Sequence, residues 1–346
     1  MDSRLKIYSD KSWLPAGKKH VIMLYPFWGD IPLPADDPDF GRFDEYMQSG
    51  KEIFEMTNEL SSCNIAVLPF EYAFDEGSKA FAQKANVAAK ENGKKLLVFY
   101  NSDDPSTINL DNSIILRTSF LNSTRKQNEF AFPGWSVDFL KQYSEGKLNI
   151  LRKQTYPEVS YCGYVDSTEE STLSIKARLK NIFVKPEEDF FAKGAAVRGK
   201  AVRRLQHDKN VKYNFIIRQG FWAEGLADKK AARKQYAENM LQSPYALVAR
   251  GAGNFSYRLY EVMSCGRIPL FINTDCVLPY ENFIDWEKSC VWVEEKNIEQ
   301  ISSRLAQFHH SISEEEFEIL QDTNRKIYEE WLSPAGFFKN LKRLTA

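Results

Sequence analysis

The residues best suited to chemistry lie between Arg250 and Glu261, in the stretch "RGAGNFSYRLYE". Its glycines give a flexible turn with exposed backbone amides, after "YALVAR", a short apolar run typical of a buried parallel strand. A helix that begins after such a turn attracts anions, because its free N–H groups and its dipole both face the ligand. Arg250 at the end of the strand and Arg258 in the first helical turn add positive charge. The pattern is compatible with a diphosphate site or with a purely structural bend.

Further polar side chains around this turn have predicted roles. Asn254 closes the glycine turn, and Ser256 stands directly before the helical run, where it is predicted to cap the helix. Glu261 follows Arg258 by three residues, so the two side chains share a helix face. A carboxylate at that place can accept hydrogen bonds from ribose hydroxyls, and the alternative is an ion pair on the protein surface. Asp275, in the loop after the apolar run "GRIPLFI", is a second polar candidate at the same edge.

Alternating apolar and helical segments indicate the elements that must position these residues. Such alternation is typical of βαβ units and of a mainly parallel sheet. An irregular stretch near residues 145–158 indicates a boundary, so we predict an N-terminal domain at 1–150, a second domain at 151–325, and a C-terminal helix at 326–346 able to cross back to the first. The strand candidates are 20–28, 64–70, 94–100, 112–120, 159–165, "KYNFIIRQG", "YALVAR", "GRIPLFI" and "CVWVEE".

Composition excludes several classes of protein. The formal net charge of −1 over 346 residues gives no field that would attract nucleic acid. The five cysteines are odd in number and form no CxxC motif, which argues against a zinc ribbon or a disulfide scaffold. The polar start "MDSRLKIYSDKSW" does not read as a signal peptide, and the apolar runs are too short to span a bilayer. We therefore expect a soluble protein with reduced thiols.

The segment "SYRLYEVMSCGRIPLFINTDCVLPYENFIDW" resembles the C-terminal signature of the exostosin-like glycosyltransferases, family 47. Two weaker similarities lie upstream: "VSYCGYV", which contains Gly163 and Tyr164, and "RGKAVRRL", which begins at Arg198. In the first half, only "KKLLVFYNSDDP" is similar in outline. The matching signature residues are Ser256, Arg258, Glu261, Ile268, Pro269, Leu278, Pro279, Ile284, Asp285 and Trp286.

The resemblance implies a GT-B fold, in which two Rossmann-like domains face a central cleft. It also implies transfer of a sugar from a nucleotide-sugar, mostly a UDP-sugar, with inversion at the anomeric carbon and without a bound metal or other cofactor. Glu261 is then expected to hold the ribose, and Arg198, Arg218 and Arg258 are expected near the diphosphate. The animal members of the family carry an extra basic residue where Ala252 stands, so Arg250 or Arg218 is expected to substitute for it.

An inverting transfer needs a general base that takes the proton of the acceptor hydroxyl as it attacks. We expect this base in the first domain, in a loop at the carboxyl end of a strand. Glu71, directly after "NIAVLPF", is preferred, followed by Asp75 and Asp30, and the remaining loop acids are expected to be turn or cap residues. The acids that qualify by position are Asp30, Glu71, Asp75, Asp103 and Asp104.

The leading hypothesis is therefore an inverting glycosyltransferase that binds a nucleotide-sugar donor and a glycan or glycolipid acceptor. One alternative is a sugar-nucleotide epimerase or phosphorylase of the same fold, and another is a non-catalytic carbohydrate-binding protein. Without a signal peptide or membrane span, such a member is expected to be a cytoplasmic protein of microbial or viral origin that builds surface polysaccharide, with at most peripheral membrane contact and no nucleic-acid partner.

Overall fold

The computed structural model describes residues 4–165, 190–220 and 228–345. By their contacts, the residues divide into two compact units. Unit 1 consists of Met1–Val137, Asp275–Ile284 and Ile327–Ala346, and unit 2 consists of Asp138–Thr274 and Asp285–Lys326.

Both units have the same kind of architecture, a parallel sheet with helices. The described strands are β1 Leu5–Tyr8, β2 Phe54–Met56, β3 Ile65–Val67, β4 Leu96–Tyr100, β5 Ser113–Arg117, β6 Glu129–Ala131, β7 Glu158–Tyr164, β8 Lys212–Arg218, β9 Tyr245–Val248, β10 Ile268–Asn273 and β11 Val291–Glu294. The described α-helices are α1 Tyr25–Trp28, α2 Asp44–Ile53, α3 Glu76–Glu91, α4 Phe139–Tyr143, α5 Phe190–His207, α6 Lys229–Gln242, α7 Tyr257–Ser264, α8 Trp286–Ser289, α9 Ile301–Ser311, α10 Glu314–Ile327, α11 Pro334–Asn340 and α12 Lys342–Thr345.

The strand order indicates where each sheet would bind a ligand. The sheet of unit 1 runs β2-β1-β3-β4-β5-β6 and that of unit 2 runs β11-β10-β9-β7-β8, with parallel pairing throughout. The predicted α/β class with two parallel, Rossmann-like sheets is confirmed. In such sheets ligands bind beyond the carboxyl ends of the strands, where the strand order reverses. That switch point lies between β1 and β3 in unit 1 and between β7 and β9 in unit 2.

Local sequence explains why the central strands form. Every residue of β4, "LLVFY", is buried, as expected for a parallel strand covered on both faces. Helix α3 begins at its N-cap Asp75 and is followed by Gly93 with φ of +66°, a left-handed conformation that glycine adopts without strain. The apolar faces of α3 and β4 contribute to one core cluster of unit 1.

The strand predicted at 20–28 is wrong. This segment forms a 3-10 turn at Ile22–Leu24 followed by α1, and its only sheet-like pairing is an isolated antiparallel bridge between His20 and Phe70. Pro26 explains the difference, because its fixed φ suits the first turn of a helix and its missing N–H does not suit a sheet interior. The first strand of the sheet is β1, which the sequence pattern did not indicate.

The chain passes from unit 1 to unit 2 at Asp138, earlier than the boundary predicted at residue 150. Arg325 binds the Asp138 carboxylate with both terminal nitrogens, at 2.7 and 2.8 Å, and this pairing ties the residue to unit 2. After Lys326 the chain returns to unit 1, where Trp135 Nε1 donates to the Leu332 carbonyl at 3.0 Å. Within the described ranges, no helix combines the length and the apolar character that crossing a membrane requires.

Candidate functional site

The switch point of unit 2 is held together by a buried arginine. Arg198 on α5 is 5% exposed and donates from Nε to the Tyr164 carbonyl at 3.1 Å and from Nη1 to the Arg250 carbonyl at 2.5 Å. It therefore links the carboxyl ends of β7 and β9, and burial lowers the pKa of its guanidinium. Helix α5 approaches the turn so closely that a Cβ on Gly194 would lie 2.1 Å from the Gly251 carbonyl oxygen. This edge of the sheet thus has a fixed backbone geometry.

The glycine turn after β9 is stabilised by its own side chains. Arg250 Nη2 donates to the Ala252 carbonyl at 2.9 Å, and the buried Asn254 accepts from the Thr274 hydroxyl at 2.7 Å. Ser256 occupies the predicted N-cap position of α7, but its side chain makes no capping hydrogen bond. Its extended backbone alone begins the helix. Arg250 and Asn254 therefore shape the turn.

A buried network lies one helical turn farther along α7. Tyr236 on α6 donates its hydroxyl to Glu261 Oε2 and accepts from Arg258 Nε at 3.1 Å. Arg233, also on α6, lies with Nη2 3.2 Å from Glu261 Oε1, and Arg258 Nη2 donates to the Cys162 carbonyl at 2.6 Å. Glu261 is only 2% exposed. The alternative of an Arg258–Glu261 ion pair on the surface is wrong, because Tyr236 stands between the two side chains.

The surroundings of Arg258 and Tyr236 raise the pKa of both groups. Burial lowers the pKa of Arg258, but the neighbouring Tyr236, Tyr161 and Glu261 raise it more, so the pKa lies above its ordinary value. Burial raises the pKa of Tyr236 well above its ordinary value, and the negative charge of Glu261 adds to the shift. The Arg258 guanidinium also lies 4.3 Å from the ring centroid of Tyr161. Arg258 is thus a permanent cation, and Tyr236 a neutral hydrogen-bond donor.

Two further predicted residues border the network. A Cβ on Gly163 would come within 3.1 Å of Arg258 Nη2, so glycine at this position of β7 leaves room for the guanidinium. Arg218 ends β8 in register with Tyr164 and donates to the Ala232 carbonyl of α6 at 2.6 Å. Arg218 is therefore anchored to α6 at the edge of the sheet.

Asp275 does not join this cluster. It belongs to unit 1, where its carboxylate accepts from the backbone N–H and the hydroxyl of Ser123 at 3.2 and 2.5 Å. Its carbonyl accepts from the Asn122 N–H at 2.9 Å, and its φ is +62°. The prediction that grouped Asp275 with the edge of the glycine turn overlooked this role, in which the side chain stabilises the turn at Asn122–Thr124.

In unit 1 the structure separates the three predicted base candidates. Glu71 follows β3, and desolvation of its carboxyl group raises its pKa, while the hydrogen bond from Asn101 and the charge of Arg42 lower it less. Asp75 caps α3, accepting from the N–H and hydroxyl of Ser78 at 2.8 and 2.7 Å, and these bonds lower the pKa of Asp75 far below its ordinary value. Asp30 is exposed after α1, and no strand precedes it there. The carboxylate of Glu71 is therefore more basic than that of Asp75.

Within residues 4–165, 190–220 and 228–345, no group of three or more His, Cys, Asp or Glu side chains is arranged to hold a metal ion.

The family match falls on the second half of the chain. Residues 170–308 match the family model of the Exostosin GT47 domain. Exostosin-1 of Drosophila melanogaster is 33% identical over 69 residues, which are 20% of this chain and 9% of that protein. A probable glucuronosyltransferase, 47 A of Physcomitrium patens, is 37% identical over 75 residues, 22% of this chain and 17% of that protein. These matches confirm the resemblance that the signature predicted.

A solved structure covers more of the chain at lower similarity. A mutant of TarM from S. aureus, in complex with fondaparinux, alpha-GlcNAc-glycerol and UDP, aligns with 88% of this chain and 54% of its own, with 14% identity and a TM-score of 0.34. That score is too low to carry an argument about ligands.

The relatives also correct the prediction of origin. The matched exostosins and plant enzymes are eukaryotic, so the prediction of a cytoplasmic protein of microbial or viral origin is wrong. The chain covers between 9% and 25% of the length of the first curated relatives it matches.

Tyr236 and Arg233, the two side chains that hold Glu261, were not predicted from the sequence. Both lie in "AARKQYAENMLQ", which was interpreted only as a helix. Their spacing of three residues puts them on one helix face. That spacing was the available signal, but nothing in the sequence indicates which acid the face would meet.

Proposed function

We propose that this protein is a glycosyltransferase that takes a sugar from a nucleotide-sugar, in particular a UDP-sugar, and transfers it with inversion to a hydroxyl of a glycan or glycolipid acceptor. The observation that carries the proposal is the buried Arg258–Tyr236–Glu261 network of unit 2. It lies beside the switch point of a parallel sheet, where such folds bind nucleotides. It also lies inside the segment that matches the Exostosin GT47 domain.

Glu261 is suited to bind ribose hydroxyls. Each carboxylate oxygen has two acceptor sites. Tyr236 uses one on Oε2 and Arg233 contacts Oε1, so acceptor capacity remains for a diol. Because both partners lock the carboxylate in place, a bound ribose does not have to order it. The predicted ribose contact of Glu261 therefore remains our proposal, with Tyr236 and Arg233 as its positioning residues.

The diphosphate would be neutralised by arginines and backbone amides at this edge. Arg258 carries a permanent charge, and its Nη1 makes no hydrogen bond within the described part of the chain. We assign it the direct contact to the diphosphate. Arg198, Arg218 and Arg250 all donate to backbone carbonyls, so their proposed part is to fix the turn while adding positive charge. Gly163, Tyr164, Asn254 and Ser256 would complete the donor site as backbone and turn contacts.

Glu71 is the proposed general base. A carboxylate with a raised pKa is a stronger base than an ordinary one, and Asp75, whose pKa is lowered, is a weaker one. In the reaction Glu71 takes the proton of the acceptor hydroxyl, and the hydroxyl oxygen attacks the anomeric carbon from the side opposite the leaving group. The bond between that carbon and the diphosphate oxygen breaks, and Arg258 stabilises the charge left on the diphosphate. The proposed reaction uses no metal and no further cofactor.

Titration calorimetry with UDP tests the donor half of the proposal, using wild-type protein and Glu261→Gln. Glu238→Gln, an exposed acid on the same helix as Tyr236, is the matched control. We expect the wild type and the control to bind UDP alike and Glu261→Gln to bind at least tenfold more weakly. Equal affinity in all three proteins would show that the ribose assignment is wrong.

A panel of nucleotide-sugars, incubated with and without glycan acceptors, tests the reaction. Transfer that depends on an acceptor supports the proposal. Turnover of the nucleotide-sugar without acceptor would instead indicate an epimerase or phosphorylase, and glycan binding without any UDP binding would indicate a carbohydrate-binding protein.

A further inference from the structure

Three aromatic side chains of unit 1 form a cluster near Glu71. The rings of His20 and Tyr25 lie 5.4 Å apart in an edge-to-face arrangement, and those of His20 and Trp28 lie 5.8 Å apart. All three side chains are half-buried. Their rings therefore support one another without being enclosed, unlike the aromatic rings of the unit 1 core.

Each of these rings keeps one hydrogen-bonding atom without a partner among the residues that the structure describes. His20 Nε2 lies 2.7 Å from the Gly29 carbonyl, which requires the proton on Nε2 and leaves a lone pair on Nδ1 in the neutral ring. The Tyr25 hydroxyl and the Trp28 indole N–H make no hydrogen bond to any described residue. The cluster thus combines apolar ring faces with a hydrogen-bond acceptor on His20, a donor on Trp28, and the Tyr25 hydroxyl, which can both donate and accept.

The backbone brings this cluster to Glu71. His20 pairs with Phe70 in an antiparallel bridge, one residue before Glu71, and Val21 N–H donates to the Pro69 carbonyl at 2.8 Å. The charge of Glu71 also acts on Tyr25. Burial raises the pKa of the Tyr25 hydroxyl, the charge of Arg42 lowers it, and the charges of Glu71 and Asp30 raise it further. The three rings and the proposed base thus belong to one surface beyond β3.

We propose that His20, Tyr25 and Trp28 form the subsite that binds the acceptor sugar, with its pyranose ring stacked on Trp28 and its hydroxyls bonded to His20 Nδ1 and the Tyr25 hydroxyl. A pyranose ring has an apolar C–H face and a rim of hydroxyls, which matches a ring face bordered by free polar atoms. Lys11 Nζ lies 5.7 Å from the Trp28 ring centroid, and as an exposed, flexible side chain it can move aside for a sugar. The inference rests on the proposed function, because it names the acceptor site of that reaction.

The test is an array of immobilised oligosaccharides probed with the full chain in the presence of UDP, while calorimetry measures UDP affinity separately. We expect Trp28→Ala to weaken binding to the retained glycans about tenfold and Tyr25→Phe to weaken it about threefold, with unchanged UDP affinity. Trp28→Phe keeps a ring and should restore part of the loss. Tyr156→Ala removes a 41% exposed aromatic ring of unit 2 and is the control that should change nothing.

The outcomes separate this inference from the proposed function. The inference is overturned if the wild type binds UDP but no glycan. It is also overturned if Trp28→Phe and Tyr25→Phe both bind glycans as tightly as the wild type does, while Trp28→Ala is either unfolded or folded with unchanged glycan binding. The acceptor subsite then lies elsewhere. If the wild type does not bind UDP either, the proposed function fails with it.

Discussion

Glu261 in unit 2 and Glu71 in unit 1 each follow a strand that borders the switch point of a parallel sheet, Glu261 on helix α7 and Glu71 in a loop, but in opposite surroundings. Glu261 is buried and is held by Tyr236 and Arg233. Glu71 is exposed, and desolvation of its carboxyl group raises its pKa. A carboxylate fixed by two partners suits binding, whereas a carboxylate of raised basicity suits proton transfer. Similar sheets thus present the same residue type for the two different tasks that we propose.

The largest expected difference between the two acids is in stability. Glu261→Ala removes the buried carboxylate that Arg233 and Tyr236 contact, and we expect it to lower the free energy of unfolding by about 3–5 kcal/mol. Glu71→Ala should change it by about 0.5 kcal/mol or less, as for exposed sites. Urea unfolding followed by circular dichroism measures both. Similar losses in the two variants would contradict the contrast between a buried and an exposed acid.

The second expected effect is on rate and concerns Glu71 alone. Glu71→Gln keeps the size of the side chain but removes the base, so transfer should slow about a hundredfold or more while UDP affinity stays unchanged. Asp75→Asn is the control, because a cap residue with a lowered pKa should contribute little to the rate. Rates come from product formation at saturating donor. A slow Asp75→Asn together with an active Glu71→Gln would reverse the assignment of the base.

A smaller effect is expected from the hydroxyl that connects Arg258 with Glu261. Tyr236→Phe removes the bond to each, and we expect a loss of about 1–2 kcal/mol in unfolding free energy and a weaker binding of UDP. Tyr213→Phe, at a 49% exposed tyrosine of the same unit, is the matched control. Unchanged melting and UDP binding in Tyr236→Phe would show that the network does not depend on this hydroxyl.

The smallest expected effect extends the contrast between buried and exposed groups to histidine. His309 in unit 2 is 1% exposed, and burial lowers its pKa, with the Gln154 carbonyl opposing the shift. As the pH falls through about 6.5, His309 therefore becomes protonated in the unfolded chain before it does in the folded one. The free energy of unfolding then decreases with falling pH, by at most about 1.4 kcal/mol per pH unit. Unfolding midpoints between pH 7.5 and pH 5 measure the slope, which His309→Gln should reduce. An unchanged slope in that variant would assign the acid sensitivity to other groups.

The two units also differ in how far sequence predicts them. The strands predicted in the second half all formed, because each is a distinct apolar run between charged helices. In unit 1, β1, β2 and β6 were missed because each contains a charged residue within three or four residues, so no continuous apolar run marks it, whereas the equally short β3 is wholly apolar. Residues 20–28 were wrongly predicted as a strand, because this continuous apolar run instead forms helical turns around Pro26.

The same limit applies to the site. Arg258 and Glu261 could be predicted because their spacing and neighbours repeat a known signature. Tyr236 could not, because its contact with Glu261 joins two helices that are separated in sequence and depends on tertiary packing. Asp275 shows the converse, since its loop at the carboxyl end of a strand suggested a place beside the glycine turn, and its side chain instead binds Ser123.

The route of the chain also bears on how such proteins can evolve or be engineered. Residues Asp275–Ile284 belong to unit 1 although the segments before and after them belong to unit 2, and Ile327–Ala346 returns to unit 1 as well. A single recombination event inside the gene therefore cannot exchange one complete unit for that of a relative. A chimaera that changes the donor sugar would have to replace Asp138–Thr274 and Asp285–Lys326 together and keep the short segment between them from the recipient.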